Sequence, residues 1–141
     1  MFKGIKNLID TRLKQNIILD EFTNNYGTFI KIDPSDLYLV VLFLKRDPDT
    51  RLSILEQIID LESGFFCWPN LGITENLELL YQFKSLKMPY KISIGIEIDP
   101  QNPFVLCIKQ VYKAAGFFQQ DLSKKHKLEF EEPSKLRSLG I

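Results

Sequence analysis

Few residues in this chain could bind a metal or serve as a nucleophile. Its 141 residues include one histidine, His126, and two cysteines, Cys67 and Cys107. These donors lack the close spacing that a protein metal site requires. Two reduced core thiols are expected, with a disulfide or a metal-binding pair as the alternative. A catalytic thiol would need a histidine as base, and the lysine-rich surroundings of His126 disfavour its protonated form. Neither cysteine is therefore expected to be a nucleophile.

The chain also lacks a net charge and a long apolar run. Eighteen basic residues balance eighteen acidic ones, so no overall field attracts nucleic acid or anionic lipid. The longest apolar run, residues 37–44, is far shorter than the roughly twenty residues that span a bilayer. It lies between Asp36 and Lys45 and predicts a buried helix. The basic N-terminus contains Asp10 and has helical spacing, which argues against a leader peptide.

No catalytic motif is present either. The sequence has no glycine-rich dinucleotide motif, no phosphate-binding loop and no Gly-x-Ser-x-Gly elbow. Glu131 and Glu132 could form an acid–base pair, but a solvated face in a polar tail is the favoured interpretation. The sequence thus predicts no catalytic residue, cofactor or metal, and it favours a structural or binding role over an enzyme.

The first half of the chain predicts alternating helices and strands. Residues 2–15 have the spacing of an amphipathic helix, and Tyr26–Ile32 that of a strand. Asp33 and Pro34 are a strong helix start, and Pro48 ends that helix. Residues 52–61 fit a helix or a strand, and residues 64–72 are expected to form a loop.

The second half predicts a hairpin and a long helix. Residues 77–83 and 92–98 alternate apolar and polar side chains, and a short connection indicates an antiparallel pair. A helix is expected from Phe104 to about Leu122, with a buried stripe at Ile108, Val111, Tyr112, Ala115 and Phe118. The prediction is one α+β domain of residues 1–141, a two-layer fold with helices on one face of a largely antiparallel sheet. Residues 1–25 would be a helix and turn, and residues 123–141 an extended tail.

Two groups of residues have both a structural and a functional interpretation. Trp68, in a phenylalanine-rich segment, is either a core residue or an anchor for a partner. Lys124, Lys125 and Lys127 with His126 could bind phosphate or RNA, but no stacking aromatic residues alternate with them. A solvated helix end, with cations near the negative pole of the helix dipole, is the favoured interpretation.

A resemblance to a known family rests on stretches spread over residues 26–139. They are DPSDL (33–37), LFLKRDP (42–48), RLSILEQIID (51–60), LLYQFKSL (79–86), KISI (91–94) and the stretch 103–118. In this order they are similar to the thirty-kilodalton subunit of respiratory complex I, the proton-pumping NADH:quinone oxidoreductase, which is subunit nine where mitochondria encode it. The tail keeps Phe130, Leu136 and Arg137 of the family pattern and lacks its Gly-His-Pro. The resemblance favours a strand at residues 52–61.

The resemblance implies a non-catalytic subunit that binds no flavin, iron–sulfur cluster or quinone. Such a subunit packs in the peripheral arm against the hydrogenase-like large subunit and supports assembly of the quinone-reducing module. By position, its contacts would be Phe117, Phe118, Gln119, Asp121 and Arg137. The alternative for these residues is an ordinary helix end and tail.

The location follows from the same resemblance. The chain would lie on the matrix side of the mitochondrial inner membrane, or on the cytoplasmic side of a bacterial membrane. Two other roles stay open: the equivalent subunit of a membrane-bound hydrogenase complex, and a free-standing binding module.

Overall fold

Helices form at three places in the part of the chain that the structure describes. The computed structural model describes residues 4–62, 66–86 and 91–132. Its helices are α1 (Ile5–Arg12), α2 (Leu37–Arg46) and α3 (Ala115–His126). A short 3₁₀ turn at Pro34–Asp36 leads into α2, and Asp33 caps this turn by accepting a hydrogen bond from the Ser35 amide at 2.9 Å. The predicted start of this helix is confirmed.

The strands form one central sheet and two small pairs. They are β1 (Ile18–Asn24), β2 (Gly27–Ile32), β3 (Leu52–Leu61), β4 (Cys67–Trp68), β5 (Gly72–Ile73), β6 (Glu78–Ser85), β7 (Lys91–Glu97), β8 (Phe104–Leu106) and β9 (Glu129–Glu131). The central sheet has the order β1-β2-β7-β6-β3, with β2 and β7 parallel and the other neighbours antiparallel. The α+β fold, the strand at residues 52–61 and the antiparallel β6–β7 pair are therefore confirmed.

The three helices pack on one face of the sheet, called here the helix-covered face. Alternation along each strand directs one set of side chains to that face. They join buried residues of α1, α2 and α3 in a single core. The strand contributions to it include Ile30, Ile32, Leu79, Tyr81, Phe83, Ile92, Ile94 and Ile96.

The opposite face of the sheet carries a smaller aromatic core beneath the β4–β5 hairpin, and is called here the hairpin-covered face. Phe29, Trp68 and Leu80 are buried there, with Phe22 and Phe66 packed against them. The Phe22 and Phe29 rings stack with their centroids 4.7 Å apart, and the Phe66 and Trp68 centroids lie 5.0 Å apart. Rings in such arrangements add favourable contacts beyond the burial of their area.

One predicted element was wrong. The helix expected from Phe104 is a short strand, β8, then a series of turns, and α3 begins only at Ala115. Turns at Val111 and Tyr112, whose amides both donate to the Ile108 carbonyl, bury the residues that suggested helical spacing. Meanwhile β8 pairs in parallel with β9, a long-range contact that overrides local pattern.

The N-terminal strand β1 was not predicted. Residues 1–25 were expected to be a helix and a turn, yet β1 forms an antiparallel pair with β2. Its alternation is hard to recognise because Asp20, a buried carboxylate, occupies an inward position. The predicted tail likewise begins later, since α3 continues to His126 and β9 follows; residues 133–141 lie outside the described part of the chain.

Candidate interaction surface

Helix α3 has a buried stripe and an exposed stripe. Ala115, Gln119 and Leu122 are its buried residues. Four exposed residues at helical spacing form the opposite stripe, called here the α3 outer face: Phe117, Gln120, Asp121 and Lys124. Residues three and four apart are neighbours on a helix surface, so these side chains form one continuous patch.

The two phenylalanines in the predicted contact segment have opposite environments. Phe118 is partly buried and packs against the main core, whereas the Phe117 side chain is 78% exposed. An aromatic ring that gains so little from folding is a candidate anchor for a partner, because aromatic residues dominate the energetics of protein interfaces. Asp121 lies one turn further along the same stripe and is exposed.

Gln119, also predicted as a contact, is directed into the protein. Its Oε1 atom accepts a hydrogen bond from the Ile108 amide at 3.1 Å, and its Nε2 atom lies 3.1 Å from the Cys107 sulfur. The residue is 4% exposed. Gln119 therefore attaches α3 to the turns that precede it, and its amide is not presented on the α3 outer face.

A carboxylate from β3 binds two of the four residues in the basic cluster at the end of α3. Asp60 Oδ2 lies 2.7 Å from both Lys125 Nζ and His126 Nε2. Burial alone would raise the pKa of Asp60, but the hydrogen bonds from Lys125 and His126 outweigh it and lower that pKa to about 2. Lys125 and His126 thus tie the helix to the sheet, although Lys125 is itself exposed, as are Lys124 and Lys127.

The helix ends in a left-handed cap. Lys127 has φ 56°, and its amide donates to the Ser123 carbonyl at 3.0 Å. Ser123 Oγ donates in turn to the Leu128 carbonyl at 2.8 Å. The cations in this turn lie near the negative pole of the helix dipole.

Trp68, the other candidate anchor, is fully buried. Its ring belongs to the core on the hairpin-covered face, and its Nε1–H donates to Glu78 Oε2 at 2.9 Å. Lys31 Nζ lies 3.2 Å from the same Glu78 oxygen and 3.1 Å from Glu97 Oε1. Of the two interpretations of Trp68, the structure supports the core residue.

The described residues bring together no group of three or more histidine, cysteine or acidic side chains able to hold a metal. Both cysteines are free thiols, but only Cys107, next to Gln119, is buried; the expectation of a core position was wrong for Cys67, which is exposed. Over residues 4–62, 66–86 and 91–132, no helix is long and apolar enough to cross a membrane. Arg137, the last predicted contact, lies outside the described residues.

Sequence reasoning missed two members of this region. Gln120 follows Gln119 and points outward in its place, and Asp60 supplies the partner of Lys125 and His126 from β3. Helical spacing from Phe117 would have found Gln120 once the helix start was known. No local signal identifies Asp60, because it lies more than sixty residues before its partners.

Comparison with solved structures finds many chains of similar fold, of which two are described here. A trypsin-resistant fragment of Nqo5, a subunit of the complex I 30 kDa type, superposes with a TM-score of 0.63 at 12% identity, covering 79% of this chain and 84% of the fragment. A chain of the membrane-bound sulfane sulfur reductase, an archaeal respiratory membrane complex, gives a TM-score of 0.66 at 15% identity, covering 89% and 67%. No family model and no curated protein sequence matches. At these identities the likeness establishes the fold, which is one used by subunits of multi-subunit respiratory complexes.

Proposed function

We propose that this chain is a non-catalytic structural subunit of the peripheral arm of complex I, the proton-pumping NADH:quinone oxidoreductase. The observation that carries the proposal is the agreement of a likeness in sequence with a likeness in fold. The segments that resemble the thirty-kilodalton subunit of complex I occur in the same order along the sequence, and the fold matches Nqo5 across most of both chains. In this role the chain supports assembly of the quinone-reducing module.

The α3 outer face is the proposed contact with the hydrogenase-like large subunit of that complex. Phe117 would be buried in a pocket of the partner, and Asp121, one turn away, would pair with a cation there. Phe118 and Gln119 hold the helix in place from beneath, because both pack inside the chain. The proposed location is the matrix side of the mitochondrial inner membrane, or the cytoplasmic side of a bacterial membrane.

A second candidate is the equivalent subunit of a membrane-bound hydrogenase-like complex. The likeness to the sulfane sulfur reductase chain favours it, since that match covers 89% of this chain, against 79% for Nqo5. The two candidates share the structural role and differ in the identity of the large partner. The free-standing binding module is a third outcome that the same experiment distinguishes.

Native purification through a tag on this chain tests the proposal. Co-purification with a large assembly that has NADH:quinone activity is the expected result. Recovery with subunits of a hydrogenase or a sulfane sulfur reductase would support the second candidate function instead. Recovery of the chain alone, in gentle detergent and with the tag at either terminus, would contradict both.

A matched pair of substitutions tests the contact. Phe117 and Tyr26 are each 78% exposed, so replacing either by serine should leave stability nearly unchanged. Phe117→Ser should reduce recovery of the large subunit by about tenfold or more, the effect of losing an interface anchor. Tyr26→Ser, in the β1–β2 turn, should leave recovery unchanged. Equal recovery with both variants would exclude the α3 outer face as the contact.

A further inference from the structure

A cleft of about 880 Å³ lies at one end of the central sheet, is lined by none of the residues of the α3 outer face, and is called here the sheet-end cleft. Its floor includes Lys31 near the end of β2 and Glu97 at the end of β7. The β4–β5 hairpin and the segment leading into β6 form one wall, and the turn at Asp33–Ser35 forms another. The proposed function uses none of these residues.

The cleft is strongly acidic in a chain with no net charge. Four carboxylates line it, those of Asp33, Glu75, Glu97 and Asp99, against the single cation of Lys31. Lys31 is already engaged by Glu97 and by the buried Glu78. Asp33, Glu75 and Asp99 have no ion-pair partner among the described residues. Clefts lined by charge of one sign concentrate the field within them, so this one favours a cation.

The rim of the cleft is apolar. Leu19, Leu71 and Ile73 line it and are 48%, 51% and 59% exposed, which places them among the most exposed large aliphatic side chains of the described residues. Three such side chains around one opening form a patch rather than scattered exposures. A free metal ion or small amine would leave this rim uncovered, whereas a peptide that carries both cationic and apolar side chains would cover it.

The wall that carries the rim is held rigidly. Asp20 of β1 is buried, and its carboxylate accepts hydrogen bonds from the Asn70 and Leu71 amides and from Asn70 Nδ2, at 2.8 to 2.9 Å. On the floor, Asn76 Nδ2 donates to Glu97 Oε2 at 2.8 Å. The acidic floor and the apolar rim are therefore preorganised, which reduces the entropy lost on binding.

We infer that the sheet-end cleft binds an extended segment of a partner subunit in which lysine or arginine alternates with aliphatic residues. The cations meet Glu75, Asp99 and Asp33, and the aliphatic side chains cover Leu19, Leu71 and Ile73. Charge complementarity between an acidic cleft and a basic segment carries the assignment. That the occupant belongs to a partner subunit rests on the proposed function, whereas the cleft shares no lining residue with the α3 outer face.

The test uses the full-length chain and a fluorescein-labelled peptide of about seven residues that alternates lysine with leucine, roughly 23 Å when extended. Two further peptides serve as probes of chemistry, one alternating glutamate with leucine and one alternating lysine with serine. Fluorescence anisotropy at low and at about 150 mM salt measures binding. The lysine–leucine peptide should bind more tightly than both others, and less tightly in the higher salt.

Two double variants and one single variant test whether the peptide binds in the sheet-end cleft. Glu75→Lys with Asp99→Asn should weaken binding about tenfold, because two favourable contacts are lost and one becomes repulsive. Glu129→Lys with Glu132→Gln makes the same change in charge at exposed positions around β9 and should change affinity less than about twofold. Ile73→Ser should weaken the lysine–leucine peptide and leave the lysine–serine peptide unaffected.

Several results would overturn the inference. They are the absence of binding by the lysine–leucine peptide, equal binding of the glutamate–leucine peptide, and equal weakening by the two double variants. Self-association of the chain that Ile73→Ser abolishes would also overturn it, since a second copy would then be the occupant. Circular dichroism of each variant confirms that the fold is intact before binding is measured.

Discussion

The two faces of the central sheet are stabilised in different ways. The helix-covered face is a continuous, mainly aliphatic core supplied by three helices. The hairpin-covered face has only Phe29, Trp68 and Leu80 as buried apolar residues among those described, and it adds an ion pair and a tryptophan hydrogen bond within the same layer. The first face depends on burial of area, which tolerates substitution, while the second depends on a few directional contacts, which do not.

Removing the tryptophan hydrogen bond should show this difference most strongly. Trp68→Phe loses ring volume and the donor to Glu78, and should lower the free energy of unfolding by about 3 kcal/mol, because hydrogen bonds to charged groups are worth about 1.5–3 kcal/mol. Phe83→Leu, at an equally buried site on the helix-covered face, should cost about 1 kcal/mol. Urea denaturation of both variants measures the pair, and equal losses would contradict the distinction between the faces.

Substitution of a glycine that packs against Trp68 should give the next largest loss of stability. A Cβ atom added to Gly95 would lie 2.7 Å from Trp68 Cζ2, so Gly95→Ala should destabilise the protein by about 2 kcal/mol through overpacking.

Gly116 is the matched control, since its added Cβ would lie 3.4 Å from the flexible Lys109 side chain. Gly116→Ala should be neutral or stabilise α3 by up to about 1 kcal/mol. Thermal unfolding separates the two variants, and a stable Gly95→Ala protein would show that the hairpin-covered face can repack.

Removing a buried hydroxyl on the helix-covered face should increase the stability of the chain instead of decreasing it. Tyr81 Oη is buried without a hydrogen-bond partner among the described residues, and burial raises the pKa of Tyr81. Tyr81→Phe should therefore stabilise the chain by about 1 kcal/mol.

Tyr112→Phe is the control for this change. The Tyr112 hydroxyl donates to the Leu52 carbonyl, so its removal should destabilise the chain by about 1 kcal/mol. Denaturation of both variants in urea measures the difference. Loss of stability in Tyr81→Phe would mean that this hydroxyl has a role the helix-covered core does not explain.

The smallest effect concerns the contact between β3 and α3. Asp60 has its pKa lowered from 3.8 to about 2, so it contributes stability that is present above about pH 4 and is lost as the pH falls through 2. Partial exposure limits this contribution to below about 1 kcal/mol. Asp60→Asn should remove that part of the acid dependence and leave the remainder, which denaturation at several pH values from about 2 to 7 would detect. An unchanged dependence of stability on acid pH would show that the contacts of Asp60 with Lys125 and His126 do not stabilise the fold.

The helix-covered face was largely predictable from sequence, and the hairpin-covered face was not. The alternation of Ile92, Ile94 and Ile96 and the Asp33–Pro34 helix start are local signals, and both were correct. Trp68 in its aromatic segment left two interpretations open, because its partners Phe29, Glu78 and Leu80 come from two separate strands.

The sequence indicated which segment would form the candidate surface, but not which of its side chains are exposed. Phe117 and Asp121 are exposed on one stripe, but Gln119 faces inward, and the helix begins eleven residues later than expected. The misplaced start has a physical cause: successive turns after Ile108 bury side chains at the spacing of a helix. A strand followed by turns differs from a helix here through the pairing of β8 with β9. That pairing depends on residues more than twenty positions apart.

The parallel pairing of β2 with β7 has a consequence for folding. The β1–β2 hairpin joins the sheet through β7 alone, in a register that matches Thr28 with Ile92. During synthesis from the N-terminus, this hairpin is therefore complete long before the strand that receives it. Its unpaired edge stays open until β7 emerges from the ribosome, and non-local closure of this kind is slow and exposes the chain to misassembly. The local β6–β7 hairpin is thus expected to form first and to act as the template on which the N-terminal third docks.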